Sequence, residues 1–115
     1  MKNILFPVSE GGRKFFVPAN RIKYVHAKGA YSMLHMLDGK QYCISIRLGL
    51  VEKRLKPAKL HFRSHESALV NTTCVNWQEP AARLTLPLID GTNQLLAKRN
   101  KKAYKTLRGK MTAGK

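Results

Sequence analysis

Acidic side chains are scarce in this sequence. Six Asp and Glu stand against 22 Lys and Arg in 115 residues, giving a net charge of +16 and a pI near 10.4. Such a balance repels itself in the compact state and attracts polyanions over a Debye length of roughly 8–10 Å. The partner classes it points to are nucleic acid, an anionic membrane or a strongly acidic protein. No two acids form a close pair, and no Gly-rich loop ends in Lys-Ser or Lys-Thr, so the signatures of paired-carboxylate and P-loop chemistry are missing. Cysteine is limited to Cys43 and Cys74, without paired spacing. That argues against a zinc site and a disulfide scaffold, and both thiols are expected to be reduced and partly buried. Long apolar runs are absent as well: no stretch of 18 is present, so no segment reads as a membrane span. The apolar run at 4–8 is too short for a signal-peptide core, which predicts a cytoplasmic protein.

What is present is a succession of short, β-prone runs. Residues 4–8 and 15–17 flank Gly11 and Gly12, a strand–turn–strand pattern stopped by Pro18. Residues 21–26 and 31–37 flank a loop containing Lys28 and Gly29. Asp38-Gly39 then signals a hairpin whose return strand is 41–48, with Tyr42, Ile44 and Ile46 on one face and Cys43, Ser45 and Arg47 on the other. Leu48, Val51 and Leu55 change the period to that of a short helix, closed by Pro57. Further strands are expected at 72–77 and 84–88, the latter an edge strand because of Pro87, and a return strand at 94–97 after Asp90-Gly91. From Lys98 to Lys115 every charged residue is basic; 100–108 has helical spacing and 111–115 is expected to fray. The chain reads as one domain, 1–115, all-β, with eight to ten short strands and one or two small helices.

Within this frame, residues 60–71, LHFRSHESALVN, stand out. Arg63, Ser64, His65, Glu66 and Ser67 all offer hydrogen bonds that suit phosphates and base edges. The plainer reading is a tight turn whose Ser and His side chains satisfy local backbone. His61 and His65 have a spacing that would place two metal ligands on a helix face, but the β-prone flanks argue against a helix, so no metal is expected. Ser64, His65 and Glu66 are adjacent, and side chains of adjacent residues diverge, so they form no catalytic triad and no enzyme is expected. Arg63 and Arg99 sit at strand or loop ends, where a guanidinium can bind guanine through two hydrogen bonds while neighbouring lysines neutralise phosphates.

Five pieces in order resemble the LytTR-type DNA-binding domain. They are Ile22-x-Tyr24-Val25-x-Ala27-x-Gly29-x-Tyr31, the Asp38-Gly39 hairpin, 48–55, Phe62-Arg63-x-His65-x-Ser67-x-x-Val70-Asn71, and Asp90-Gly91 followed by Arg99. The resemblance spans about 15–107. It implies an elongated β-β-β sandwich of about ten strands, without a cofactor. It implies a bacterial transcription regulator that reads successive major grooves of double-stranded DNA through loops, often as two copies on imperfect direct repeats. It assigns base contacts to Tyr31, His65, Glu66 and Arg99. Phosphate or supporting contacts fall to Lys28, Ser32, Arg63, Ser64, Ser67, Asn71, Lys98, Asn100, Lys101 and Lys102. Glu66 departs from the neutral or basic residue more frequent there; it either accepts from cytosine N4 or turns away from DNA. Arg63, Ser67 and Asn71 are candidates for fixing the elbow. Two competing readings are a non-specific RNA- or nucleic-acid-associated basic protein and an interaction module for an acidic protein partner. No membrane contact is expected, since the basic C-terminal face offers only Ala103, Tyr104 and Leu107 as an anchor.

Overall fold

A computed structural model describes residues 4–113. It contains nine strands and two α-helices. β1 (Leu5–Glu10) and β2 (Arg13–Pro18) form an antiparallel hairpin turned at Gly11 and Gly12, whose φ values of 56° and 80° favour residues without a Cβ. Phe6, Val8 and Val17 face inward from it. β3 (Ile22–Lys28), β4 (Tyr31–Met36) and β5 (Gln41–Ile44) make a meander, with Gly39 at φ 92° in the second turn. β6 (His61–His65) and β7 (Ala68–Asn71) complete a five-stranded sheet in the order β5-β4-β3-β7-β6. β8 (Thr85–Pro87) and β9 (Asn93–Leu95) pair separately.

The central sheet has an apolar core on each face. On one side the β1–β2 hairpin and α1 (Leu48–Leu55) cover Ile22, Val25, Leu34 and Leu69. α1 buries Leu48, Val51 and Leu55, the stripe its spacing predicts. On the other side β8, β9, Trp77 and Tyr104 of α2 (Lys101–Ala113) cover Val70. All four residues of β7 are buried, as a strand covered on both faces requires. Each fully buried Leu or Val here stabilises the fold by about 1.5–3 kcal/mol. Three stacked sheets give the β-β-β sandwich, and extents of 43 × 30 × 24 Å make it elongated. Among the described residues no helix is long and apolar enough to cross a membrane.

Several local expectations are corrected. Residues 72–77 hold no strand: Thr72–Cys74 is a 3-10 turn, and Val75 makes one isolated bridge to Leu88. The reason is Asn71, whose side chain accepts from the Thr73 amide and diverts the backbone into a turn. The strand expected at 41–48 stops at Ile44, because α1 begins at Leu48. β8 starts only at Thr85, since Leu84 sits at φ 60°. Pro57 lies in a 3-10 turn after α1, Lys56–Ala58. Cys74 is buried as expected, but Cys43 is exposed on the solvent side of an edge strand. α2 runs to Ala113 and includes Met111, longer than 100–108; the fraying expected at 114 and 115 lies outside the described residues.

Candidate nucleic-acid interface

Three connections meet at one end of the five-stranded sheet. The β3–β4 turn is closed by the pair Lys28↔Tyr31 around Gly29, at φ 64°. The β6–β7 elbow carries Glu66 and Ser67. The third is the 3-10 turn Lys98–Asn100, between β9 and α2. Hydrogen bonds tie them together: the Ala27 amide donates to Ser67 O at 2.9 Å and the Ala97 amide to Ser64 O at 2.7 Å. Asn100 Nδ2 donates to Arg63 O at 3.1 Å.

The elbow is braced from within. Arg63 commits all three guanidinium nitrogens to the protein. Nε donates to His65 O at 2.9 Å, Nη2 to Glu66 O at 2.7 Å, and Nη1 pairs with Glu52 of α1 at 2.6 Å. Ser64 Oγ donates to Leu95 O at 2.7 Å, fastening the elbow to β9. Asn71 is wholly buried; its Nδ2 donates to Ile22 O at 3.0 Å, and its Oδ1 accepts from the Thr73 amide and hydroxyl. Ser32 is equally buried and donates to Ile46 O at 2.7 Å.

These bonds distinguish supporting residues from exposed ones among the assigned positions. Ser32, Ser64 and Asn71 expose no surface, so in this conformation none meets a phosphate; each supports the loops from below. Arg63 acts as a brace, because each of its three guanidinium nitrogens bonds the protein and fixes the side chain against the elbow and α1. The Ser64, His65, Glu66 triplet is pulled apart, since Ser64 Oγ points to Leu95 O rather than to His65. His61 Nε2 donates to Ile22 O while His65 bonds Ser67, so the two rings serve separate partners. Among the described residues no group of three or more His, Cys, Asp or Glu gathers to hold a metal.

His65 is half-buried, and its tautomer is set by geometry. Nδ1 accepts from the Ser67 amide at 3.1 Å and lies 2.8 Å from the Ser67 hydroxyl. An accepting Nδ1 on a neutral ring leaves the proton on Nε2, which remains as a donor. Tyr31 is 51% exposed at the start of β4. Lys28, Lys98 and Lys102 are exposed, and Asn100 and Lys101 half-buried. Arg99 and Glu66 face each other across the gap between the elbow and the turn before α2, 3.5 Å apart, with side chains 70% and 73% exposed.

Two partners escaped the sequence reading. Glu52 is distant in sequence from Arg63, yet it is one of only six acids and lies next to the buried stripe of α1. The pairing of Glu66 with Arg99 joins two loops whose proximity only the fold reveals. Behind the loops, His26 and His35 share a 2.9 Å hydrogen bond, and Tyr24 stacks on His35 with ring centroids 4.1 Å apart. Burial first, then His26 and Lys23, push the His35 pKa from 6.5 down to about 4. His61 is also held low by burial, against the opposing bond to Ile22 O.

The family model for the LytTr DNA-binding domain matches residues 12–109. The chain belongs to the LytTR family of DNA-binding domains. Among solved structures, this LytTR chain is similar to the LytTr DNA-binding domain of a methyl-accepting/DNA response regulator from Bacillus cereus. The match has a TM-score of 0.72 at 17% identity and covers 95% of this chain and 99% of that one. At that identity the likeness concerns the LytTR fold. A comparison with curated proteins found no match.

Proposed function

We propose that this chain is a sequence-specific transcription regulator of the LytTR type, acting in the bacterial cytoplasm. In this reading residues 1–115 form one DNA-binding unit, and its loops enter successive major grooves of double-stranded DNA. Tyr31, His65 Nε2 and Arg99 carry the base contacts. Lys28, Lys98, Lys101 and Lys102 supply phosphate contacts, which give affinity and register without sequence information. Two copies bind direct repeats.

The observation that carries the reading is the convergence of three loops at one end of the sheet, with a guanidinium, a ring donor and several ammonium groups presented together. Selection from a random duplex pool at roughly 150 mM salt, near physiological ionic strength, tests it. The expected result is an enriched motif, with two short repeats about one helical turn apart. Binding without any motif, lost as salt rises, would reduce the protein to a phosphate-held polycation.

A further inference from the structure

Glu66 is out of place on electrostatic grounds. The chain carries six acids at a net +16, yet one of them stands at the tip of the elbow, where a carboxylate repels phosphate. Stability does not explain it, because an ion pair this exposed contributes little to folding. The backbone around it is unusually well fixed. Arg63 grips the carbonyls of His65 and Glu66 and is itself anchored by Glu52 on α1. On the facing side, the turn bearing Arg99 is held to the same strand through the Ala97 amide and Asn100 Nδ2. Both ends of the Glu66–Arg99 pair therefore rise from braced backbone, and only the side chains are free.

We propose that Glu66 is a positioning residue that makes Arg99 selective for a base edge over a phosphate. The inference rests on the sequence-reading function proposed above. An unrestrained arginine samples many rotamers and is drawn to the nearest phosphate. Glu66 lies at ion-pair distance from one Nη of Arg99, 3.5 Å, and so biases the guanidinium toward rotamers that face the elbow. Its carboxylate also lowers the local positive potential and keeps phosphate from the same guanidinium. Guanine O6 and N7 carry no net charge, and they accept two hydrogen bonds from the guanidinium donors that Glu66 leaves free. The pair thus weakens contact with any backbone while preserving contact with guanine. Glu66 itself reads no base in this arrangement, which separates it from the alternative in which it accepts from cytosine N4.

The test is the binding-site selection repeated with Glu66→Gln, Arg99→Ala and the double variant, beside binding to a random-sequence duplex at fixed salt. Both side chains are exposed, so all three variants are expected to melt like the wild type. Glu66→Gln should bind random duplex about fivefold more tightly, the effect of one added unit of charge at roughly 150 mM salt. It should also relax the motif at the same base position that Arg99→Ala relaxes, and in its background Arg99→Ala should cost less discrimination there than it does alone. Relaxation at a different position would show that Glu66 reads a base itself and would overturn the proposal. An unchanged motif with unchanged random binding would also overturn it, leaving a surface ion pair. A wild-type protein that enriches no motif would sink the functional reading and this inference together. A wild-type motif with either of the other outcomes sinks only the inference.

Discussion

From Arg63 to Asn71, buried Ser64 and Asn71 and half-buried Arg63, His65 and Ser67 share one short segment with exposed Glu66. Ser64 and Asn71 are sealed inside, and Arg63 bonds the protein through each guanidinium nitrogen; their partners are backbone carbonyls or Glu52. Glu66, at the tip, and Arg99 beside it form an exposed ion pair with each other. The same chemical vocabulary serves two tasks. Inside, it fixes the shape of the loop; outside, it is left available for a partner. Density of polar residues in a sequence therefore marks an organised elbow, and exposure decides which members are free to bind.

This contrast can be broken by experiment. The largest effect is expected for Asn71→Ala. It removes a cap and leaves the Ile22 carbonyl without that donor, so chemical denaturation should show a loss of about 2–4 kcal/mol. Arg99→Ala should leave stability within about 0.5 kcal/mol, yet cost roughly 1–3 kcal/mol of binding to the preferred duplex and little on random DNA. If Arg99→Ala unfolded the protein, or Asn71→Ala left stability untouched, the division between interior and tip would collapse. Ser64→Ala sits between the two: losing its bond to Leu95 O should lower stability by about 1 kcal/mol in urea titrations.

A smaller effect comes from the histidines behind the loops. The folded state holds the His35 pKa near 4, below its ordinary 6.5, so the unfolded chain takes up the proton first. The contribution is fully present above pH 6.5 and is lost as pH falls toward 4. Because the ring is only partly buried, the size after screening is on the order of 1 kcal/mol. His35→Gln should flatten part of the pH dependence in that window; above pH 7 it should lower stability through the lost His26 bond and Tyr24 stack but add no slope.

Much of this architecture is legible in the sequence because its signals are local. Asp38-Gly39 and Asp90-Gly91 set turns wherever the chain places them, and Leu48, Val51 and Leu55 declare a helix within eight residues. Residues 72–77 failed for a matching reason: their β-prone side chains were outvoted by one capping bond from Asn71, which composition does not register. The candidate contact residues are named from the LytTR resemblance, but which of them are buried is not legible in it. Ser32 and Ser64 look no different in sequence from Ser67. Their inward direction depends on carbonyls of Ile46 and Leu95, which lie 14 and 31 positions away.

The bonds that tie the elbow to the segment before α2 have a temporal meaning as well as a spatial one. Ser64 to Leu95 and Asn100 to Arg63 close loops of 31 and 37 positions. Such closures lag behind local hairpins, because chain entropy must be lost before the contacts form. The meander from β3 to β5 has no need to wait for them; the surface bearing Arg99 does. During synthesis the meander can assemble while the surface bearing Arg99 is still missing. A full-length chain slow to dock its last helix would carry its whole net charge of +16 before the surface bearing Arg99 is assembled. The surface bearing Arg99 is thus the last part to be completed, after the net charge that attracts polyanions is already in place.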